Sequence, residues 1–599
     1  MSASVLLVFA QHEVSGAASH APQWANLQRS AVDSYIERET PIAWNALLNN
    51  IGPCGDCVTG AACGIVVARP CKSDPDYFYQ WQRDAALQGQ IPSIRLHRGQ
   101  QEFSHEIQQH SQAQAILQLI WNPSGDNGEA WGLGEPRFMV DGFIHSWFQG
   151  WGSPQRDGPA LSAIAFIQTH SWLKDMGQAP HAKLIIWPIV KNDLTYHGQY
   201  WNNSGQDLWE EVLQTTFFQI AEQHSALLEG ANFAFLSGPQ CISCDQAPQV
   251  LCFQGRFWKG HQCYNSGRPR SGLDFNCELG SIQMFDPKAE CDQIQFQPHR
   301  DSALANHKVV QDSFRYHGCN NGHQWGDAVA VGSYPEFVYY NGMPWYLAIQ
   351  AAAEQLYDAV YQWQDVEWIH MGIQSLVFFH ADVLTSAAGQ YTRSHTTYQN
   401  IHDAVKTYAD GFVSVVSCAK YHPRNGTLHE GEHRNDGKPD SASHLHWRYA
   451  ALLCAIHSRA TQVPASWGEA CATSPGVCTA IEQSGHYSTA HNQSWPSACS
   501  QQHHRQTPCH CQHPVAYHFN GIQQYGEIYV LGTIPALGNW RDWGCHLRAD
   551  KYTNSDQIWY SIVQLPAGER AVYKYIRKWE GRVDPNRLTQ VQDCGQDHW

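Results

Sequence analysis

Two neighbouring carboxylates, Glu210 and Glu211, stand beside Trp209 in the segment DLWEEV. An apolar ring and a second negative charge both raise the pKa of a carboxyl group, and a carboxyl group that stays protonated can act as a general acid. The same pair also fits the start of a helix, where acidic side chains are stabilised by the helix dipole. We predict that the segment starts a helix, and the residues alone leave open whether Glu210 serves catalysis or only the local fold.

The composition favours a neutral, hydroxylated ligand over a charged polymer. The 599 residues include 38 Lys and Arg against 54 Asp and Glu, a formal net charge of -16 that disfavours binding to nucleic acid or to an anionic membrane. Charged residues make up only 15% of the chain, whereas 24 Trp and 26 Tyr are present. Flat aromatic rings with few charges suit a sugar, although we expect most of these rings to fill the core.

Cysteine and histidine are abundant enough to raise the question of a metal site. Among the 20 Cys and 34 His, the group Cys54, Cys57, Cys63 and Cys71 and the stretch from His503 to His513 are the candidates. Their spacings match no well-defined zinc pattern, so we expect neither a metal nor a cofactor.

The N-terminal segment and three glycosylation sequons agree with export from the cell. Residues 1–30 contain a short apolar stretch, Ser4 to Ala10, with no basic residue before it, and are interpreted as a signal or pro-segment or as a disordered N-terminus. Sequons begin at Asn202, Asn425 and Asn492. No apolar run is long enough to predict a membrane span.

Helical periodicity dominates residues 31–470, and it changes to a period of two near the end of the chain. Three apolar faces repeat at i, i+3, i+4 and i+7; they comprise Phe217, Ile220, Ala221, His224, Leu227, Leu228 and Ala231, then Leu356, Ala359, Val360 and Trp363, then Val405, Tyr408, Ala409, Phe412 and Val416. Residues 471–510 lack a convincing helix and are interpreted as a linker. Within residues 511–599, alternating segments at 515–519, 527–533, 558–565 and 571–577 predict a small antiparallel β-domain.

Several segments, in the right order, resemble the fungal glucoamylases of glycoside hydrolase family 15. They are DPDYFYQWQRD (74–84), GLGEPRF (132–138), WGSPQRDGPA (151–160), QYWNNSGQDLWEEV (199–212), ALANHK (303–308), YPEFVYYNGMPW (334–345), AVKTYADGFV (404–413) and VPASWGE (463–469). Later segments, including YGEIYVLG, LGNW, ADKYTNSD, LPAGE and DPNR, resemble the family 20 starch-binding module. The resemblance covers most of residues 35–599. It implies a multidomain protein, with an all-α (α/α)6 barrel followed by an all-β antiparallel sandwich.

The activity that this resemblance implies is that of a glucan 1,4-α-glucosidase. Such an enzyme releases β-D-glucose from the non-reducing ends of starch and maltooligosaccharides, and slowly cleaves α-1,6 bonds, with inversion at the anomeric carbon. Glu210 matches the general acid and Glu430, in NGTLHEGEHRNDG, matches the general base. The residues after Glu430 depart from the family, so Glu432 remains a competing base.

The resemblance also implies the binding residues and crosslinks. Substrate contacts fall on Tyr77, Trp81, Arg83, Asp84, Trp151, Trp209, Glu211, Trp345 and Trp447. Starch contacts of the small domain fall on Trp540, Lys574, Trp579 and Asn586 at one site, and on Tyr525, Tyr552 and Trp559 at the other. The implied disulfides are Cys241–Cys244, Cys252–Cys478 and Cys511–Cys594, and the expected glycosylation sites are Asn202 and Asn425. We expect a secreted monomer that binds starch and neither nucleic acid nor a membrane.

Some residues depart from the family pattern. Ser333 stands where the family places an Arg, while Phe337 and His444 stand where it places acids. We expect the loss of the Arg to weaken substrate binding, because Ser has a shorter reach and fewer donors. Two other functions stay open at this point, a starch-binding protein with impaired catalysis and a related barrel enzyme that acts on trehalose or α-1,6 glucans.

Overall fold

The computed structural model describes one long helical part of the chain and a set of C-terminal strands. The helical part is residues 23–464 without 53–54, 56–57, 71, 74, 88–103, 121, 126–130, 142–151, 176, 178, 238–240, 255–257, 260–261, 264–269, 290–295, 380–386 and 418–426. Beyond it, only the backbone of seven strands between residues 510 and 590 is described.

The helical part is built from long helices in chain order. They are α1 (Gln23–Leu48), α2 (Ser104–Leu117), α3 (Asp157–Asp175), α4 (Trp187–Tyr200), α5 (Phe217–Ser237), α6 (Ala247–Gln254), α7 (Asn276–Gln283), α8 (Asp301–Phe314), α9 (Tyr346–Val366), α10 (Thr396–Ser417) and α11 (His446–Arg459). Residues 82–87 are also helical. Shorter helical turns cover Trp131–Gly134, Ala179–His181, Ala182–Ile186, Ser243–Gln246, Gly318–Asn320, Tyr339–Asn341 and Leu376–Phe378.

These helices form two layers that alternate along the chain. The odd helices from α3 to α11 pack in sequence, each against the next, and α11 then contacts α1. Helix 82–87 fills the place between α3 and α11, because Arg83 bonds Asp157 at the start of α3 and lies over the ring of Trp447 in α11. The inner layer therefore closes into a ring, with the even helices and α1 outside it, and the expectation of an (α/α)6 barrel is confirmed.

The three apolar faces found in the sequence are the buried faces of α5, α9 and α10. On α9, Leu356, Ala359, Val360 and Trp363 are each at most 5% exposed. The segment LAIQAAAEQLYDAV in this helix consists largely of strong helix formers. Burial of its apolar stripe against α7, α10 and α11 provides most of the stabilisation, since propensity alone contributes little.

Short pairs of antiparallel strands lie between the helices. The strands are β1 (Gln80–Trp81), β2 (Arg137–Phe138), β3 (Gly205–Gln206), β4 (Leu213–Gln214), β5 (Trp258–Lys259), β6 (Gln262–Cys263), β7 (Trp368–Met371), β8 (Gly389–Thr392), β9 (His429–Glu432) and β10 (Pro439–Ser443). Consecutive strands pair, as β1 with β2 and so on to β9 with β10. The hairpin β3–β4 leads into α5 and the hairpin β9–β10 leads into α11, so both are held by inner helices.

The C-terminal strands form an antiparallel sheet. They are β11 (His510–His518), β12 (Glu527–Gly532), β13 (Cys545–Ala549), β14 (Ile558–Pro566), β15 (Val572–Trp579), β16 (Arg582–Val583) and β17 (Thr589–Gln590). The order is β11-β14-β13-β12-β15-β16, with β17 also on β15. The four strands predicted from alternation are therefore present, and the packing of the strands as a sandwich stays an expectation from the resemblance.

The first helix begins earlier than the sequence analysis assumed. Helix α1 starts at Gln23, so the end of the segment 1–30, interpreted as a leader or a disordered N-terminus, is helical and continuous with the barrel. The proposed linker, residues 471–510, lies outside the described residues except for His510, the first residue of β11. Its boundaries stay predictions.

Candidate active site

Glu210 lies in the turn of the β3–β4 hairpin and does not start a helix. Its backbone has φ 60°, a left-handed conformation that non-glycine residues rarely adopt, and its N–H donates to the carbonyl of Asp207 at 2.9 Å. The Asp207 carboxylate accepts hydrogen bonds from the N–H groups of Glu211 (2.7 Å) and Val212 (3.0 Å). These side-chain acceptors satisfy the backbone locally, which is why the predicted helix start is wrong.

The carboxyl group of Glu210 rests against a buried polar cluster. Its Oε1 accepts a hydrogen bond from Nε2 of Gln155 at 2.9 Å, and the Gln155 Oε1 accepts one from Arg83 at 2.5 Å. Burial raises the pKa of Glu210, and Asp157 adds to this, while Arg83 and the Gln155 hydrogen bond oppose it. A carboxyl group with a raised pKa is suited to donate a proton.

The neighbours expected to raise the pKa of Glu210 are engaged elsewhere. The indole N–H of Trp209 donates to Asp274 at 2.9 Å. The Glu211 carboxylate accepts from Arg270 at 2.6 Å and from the hydroxyl of Tyr334. The predicted direction of the pKa shift is therefore correct, but its main cause is burial and not the neighbouring charge of Glu211.

Glu430 approaches the same space from strand β9. It is 3% exposed, and its Oε2 accepts hydrogen bonds from the hydroxyls of Ser441 and, at 3.4 Å, Tyr339. Pairing between β9 and β10 is irregular between Asp440 and Ser443, and Ser441 has φ 61° at this bulge. The bulge turns the Ser441 side chain toward Glu430, as bulges often do beside functional groups.

Tyr77 is close enough to both acids to be affected by their charges. Its hydroxyl is 3.2 Å from that of Tyr339, which in turn contacts Glu430. The pKa of Tyr77 is raised first by burial, and also by the negative charges of Glu430 and Glu210. The carboxyl groups of two separate hairpins therefore both act on one phenol, as expected of two acids that serve a single site.

Glu432, the competing base, lies farther inside. It is fully buried at 0% exposure, and its backbone N–H donates to the carbonyl of Pro344 at 2.9 Å. Between the two acids, Gly431 packs so closely that a Cβ there would lie 2.3 Å from the same Pro344 carbonyl. This contact fixes β9 against the loop before α9, and Glu430 is the acid that reaches the hydroxyl groups beside Tyr77.

Arg83 and Asp84 form the first turn of helix 82–87, and both are buried. Arg83 bonds Asp157 and Gln155, and its guanidinium lies 5.6 Å from the ring centre of Trp447. Burial raises the pKa of Asp84 to about 7, with Glu210 adding to the effect and Arg83 opposing it.

The predicted aromatic residues contact one another around these acids. Tyr77 and Trp81 make an edge contact at 6.4 Å between ring centres, and Trp209 and Trp345 make one at 5.5 Å. Trp447 is 8% exposed and lies under Arg83. Trp151 lies outside the described residues.

Arg270 is the main residue of the site that the sequence analysis missed. Its guanidinium contacts Asp207 (3.0 Å), Glu211 (2.6 Å) and Asp274 (3.4 Å), and it lies 4.1 Å from the ring centre of Tyr334. Gln155, Asp157, Tyr339 and Ser441 were missed as well. They belong to segments far apart in the chain, and only the folded barrel brings them to Glu210 and Glu430.

The three departures from the family pattern have different surroundings. Ser333 is 1% exposed, and its carbonyl accepts from the N–H of Phe275 at 2.8 Å. Phe337 packs edge-on against the rings of Tyr334, at 5.2 Å, and of Trp345, at 5.9 Å. His444 is exposed just before α11. An aromatic cluster therefore takes the place of the missing acid at position 337.

Several other predicted residues are only partly described. Lys574 and Trp579 lie on β15 and Trp559 lies on β14, whereas Tyr525, Trp540, Tyr552 and Asn586 are outside the described residues. Cys241 and Cys244 form the predicted disulfide. Cys478 and Cys594 are not described, so their pairing with Cys252 and Cys511 stays a prediction, and so does glycosylation at Asn425. Asn202 is exposed, and Cys277 is disulfide-bonded, a crosslink that the sequence analysis did not assign.

No cluster of metal-ligating side chains occurs among the described residues. Of the four Cys considered as a zinc group, only Cys63 is described, as an exposed free thiol. None of the helices in the described part of the chain has the length and hydrophobicity to cross a membrane.

Comparison with known proteins gives consistent relatives for the whole chain. Residues 41–457 match the model of glycosyl hydrolases family 15, and residues 512–597 match the starch binding domain. The glucoamylase of Neurospora crassa is 47% identical over 600 residues, covering 96% of this chain and 94% of the relative. Glucoamylase P of Amorphotheca resinae is 43% identical, covering 95% and 93%.

A solved structure agrees with these relatives. The family 15 glucoamylase from Hypocrea jecorina superposes with a TM-score of 0.70 at 42% identity, covering 94% of this chain and 98% of that one. The chain therefore belongs to glycosyl hydrolases family 15, and its residues 512–597 are a starch-binding domain.

Proposed function

We propose that this chain is an inverting, exo-acting glucan 1,4-α-glucosidase. It releases β-D-glucose from the non-reducing ends of starch and maltooligosaccharides, and it cleaves α-1,6 bonds slowly. The observation that carries the proposal is the placement of Glu210 and Glu430 on separate hairpins around Tyr77. One of them has a raised pKa, and the other accepts hydrogen bonds from two hydroxyls.

The two acids have complementary parts in the reaction. Glu210, protonated, donates its proton to the glycosidic oxygen as the bond to the anomeric carbon breaks. Glu430, ionised, takes a proton from the water that attacks the opposite face of that carbon. Glucose leaves with inverted configuration, Glu210 is left ionised and Glu430 is left protonated. A proton exchange with solvent then restores both groups.

The charged and aromatic residues around the acids hold the terminal glucose. Arg83 has a charged group and Asp84 a carboxyl group that can form hydrogen bonds with sugar hydroxyls. The rings of Trp81, Trp209, Trp345 and Trp447, together with Trp151, supply apolar area to the sugar faces. Arg270 and Glu211 form a second charged pair on the other side of Glu210. A closed-ended pocket lined by these residues would fit chain ends better than chain interiors.

We also propose that the protein is secreted and acts as a monomer. Its relatives are fungal glucoamylases. The disulfide Cys241–Cys244 and the exposed sequon at Asn202 suit an oxidising compartment. The starch-binding domain would hold the enzyme on its insoluble substrate, through Trp540, Lys574, Trp579 and Asn586 and through Tyr525, Tyr552 and Trp559.

The direct test is glucose release from soluble starch by the purified full chain, with Glu430→Gln and its neighbour Glu432→Gln as a matched pair. We expect the wild type to release glucose, Glu430→Gln to lose at least about 100-fold in kcat, and Glu432→Gln to lose far less. Loss on Glu432→Gln alone would reassign the base. No glucose from the wild type would favour a starch-binding protein without catalysis.

A further inference from the structure

Arg448 is a buried cation close to the proposed base. It is the third residue of α11, its side chain is 1% exposed, and its Nη2 lies 3.9 Å from Oε1 of Glu430. Its Nη1 donates to the Ala442 carbonyl at 3.5 Å, while its Nε and Nη2 have no hydrogen-bond partner among the described residues.

This position is unfavourable for an arginine in three ways. A guanidinium loses its hydration on burial. The first turn of a helix carries partial positive charge, which repels a cation. Buried N–H groups without acceptors cost additional free energy. Charged groups held at such a cost beside a reactive carboxylate often serve function.

The compensating partner is the carboxylate of Glu430. Its Oε2 accepts from Ser441 and Tyr339, and its Oε1 faces the Arg448 guanidinium. Burial would otherwise favour the neutral form of a carboxyl group, and a cation within about 4–6 Å opposes that tendency. Burial also lowers the pKa of Arg448 to about 10, with Glu430 opposing the effect, so Arg448 stays charged in acidic and neutral solution.

Among the described residues, the other titratable groups around the pair do not supply an equivalent cation. Tyr77, Tyr346 and Tyr449 surround Arg448, and Asp84 faces it from helix 82–87. Tyr77 and Tyr339 face Glu430. On the strand side, the pKa of His429 is lowered by burial and by nearby Arg residues, so His429 is neutral near pH 7. His444, on the same side, is exposed to solvent.

We propose that Arg448 is a positioning residue that holds the Glu430 carboxylate in place to accept the proton of the attacking water. The inference rests on the proposed role of Glu430 as the base. Arg448 acts through Glu430 and does not itself contact the reacting atoms. Its removal should therefore affect the acidic limb of the pH–rate profile, where the base becomes protonated, more than the basic limb, where Glu210 loses its proton.

The test is the pH dependence of kcat on maltose for the wild type, Arg448→Lys, Arg448→Gln and Arg448→Met. The Lys variant keeps the charge, the Gln variant keeps donors without charge, and the Met variant fills the space with an apolar chain. We expect the Gln and Met variants to shift the acidic midpoint to higher pH by about 1–3 units. The Lys variant should shift it much less, and KM and the basic midpoint should change little in all three.

Several outcomes separate this inference from the proposed function. A wild type with no glucosidase activity would contradict the function itself. A second outcome is that the wild type gives a bell-shaped pH profile while the acidic midpoint does not move in Arg448→Gln and Arg448→Met, both folded. That result would overturn the role of Arg448. Equal shifts in Arg448→Lys and Arg448→Gln would show a packing effect and also overturn it. If the Met variant does not fold by circular dichroism, the Gln and Lys variants still decide.

Discussion

Glu210 has a backbone conformation that few residues other than glycine adopt. A φ of 60° at a non-glycine residue costs of order 1 kcal/mol, and such strain is concentrated at functional sites. Here the hairpin stabilises it through the Asp207 carboxylate and through the hydrogen bond from Gln155. The strained turn points the Glu210 carboxyl toward Gln155 and Arg83, at the centre of the site.

The raised pKa of Glu210 gives a prediction for activity. A general acid must be protonated, so a raised pKa extends the basic limb of kcat upward from the ordinary Glu value near pH 4.3. Glu210→Gln should lower kcat by about 100-fold to 10,000-fold and leave the affinity for a maltose-like inhibitor within a few-fold. Steady-state kinetics measures kcat, and isothermal titration measures the affinity for the inhibitor. If Glu210→Gln retained more than a tenth of the wild-type kcat, the assignment of Glu210 as the general acid would be contradicted.

For individual residues, the family resemblance identified the proposed catalytic and binding residues but not the residues that surround them. Glu210, Glu430, Arg83 and Asp84 were identified from short motifs. Gln155 and Tyr339 lie inside matching segments but were not singled out there, and Arg270, Ser441 and Arg448 lie outside those segments. Their relevance depends on contacts between residues as far apart as Tyr77 and Tyr339, which only the folded chain creates.

The N-terminal ends of the inner helices meet at the candidate active site. Asp157 starts α3, Trp345 is the N-cap of α9, and Trp447 is the second residue of α11. Helix N-termini carry partial positive charge, which stabilises anionic groups collected there. This explains how one end of the barrel holds the carboxyl groups of Asp157, Glu210, Asp274 and Glu430.

Arg270 connects the Glu210 hairpin to the residues before α7, and its removal should be costly. Arg270→Ala leaves Asp207, Glu211 and Asp274 without their common cation. We expect a loss of about 3–5 kcal/mol in unfolding free energy and at least about a tenfold fall in kcat from misplacement of Glu210. Chemical denaturation and maltose kinetics measure both effects.

The matched control for this variant is Arg393→Ala. It removes an exposed pair with Glu367, in which both side chains are more than 60% exposed. An exposed pair contributes about 0–1 kcal/mol, and kcat should not change. If Arg270→Ala and Arg393→Ala lost similar amounts of unfolding free energy and kcat, Arg270 would not have the stabilising role assigned to it.

The helices themselves were predictable, whereas the hairpins were not. Apolar spacing identified α5, α9 and α10 because their stripes are buried. The segment DLWEEV was interpreted as a helix start, but the Asp207 side chain competes for the backbone N–H groups and makes a turn. Strands of only two residues, such as β3 and β4, are too short to show an alternating pattern in the sequence, so their pairing depends on tertiary contacts.

For the whole molecule, the two domains should have separable functions. In the full chain, Trp540→Ala with Trp579→Ala should reduce binding to granular starch by at least about tenfold, because ring stacking supplies the contact area. Hydrolysis of maltose should stay within about twofold of the wild type. Sedimentation with starch granules measures the binding, and unchanged binding would contradict the proposed starch site.

Buried histidines should make the barrel sensitive to acid. Burial lowers the pKa of His224, on the inner face of α5, to about 4. The unfolded chain therefore binds a proton between pH 6.5 and about 4 that the folded chain does not, and stability falls as the pH drops through this range. His224→Leu removes this term, so the wild type should lose roughly 3 kcal/mol more than the variant between these two pH values.

Denaturation curves at pH 4 and pH 6.5 test this difference. Buried acids such as Asp193 and Glu222, whose pKa values burial raises, favour folding at low pH, but they are common to both proteins and cancel in the comparison. Parallel stability curves for wild type and His224→Leu would show that His224 is not a source of acid sensitivity.

The central claim is that Glu210 and Glu430 act as an acid and a base on opposite faces of one bond. An inverting pair leaves room for water, with carboxyl groups about 6.5–9.5 Å apart, whereas a retaining pair is about 5–5.5 Å apart. The direct measurement is proton NMR of the anomeric signals during the first minutes of maltotriose hydrolysis, before mutarotation. We predict that the β-anomer of glucose appears first, and first appearance of α-glucose would contradict the account.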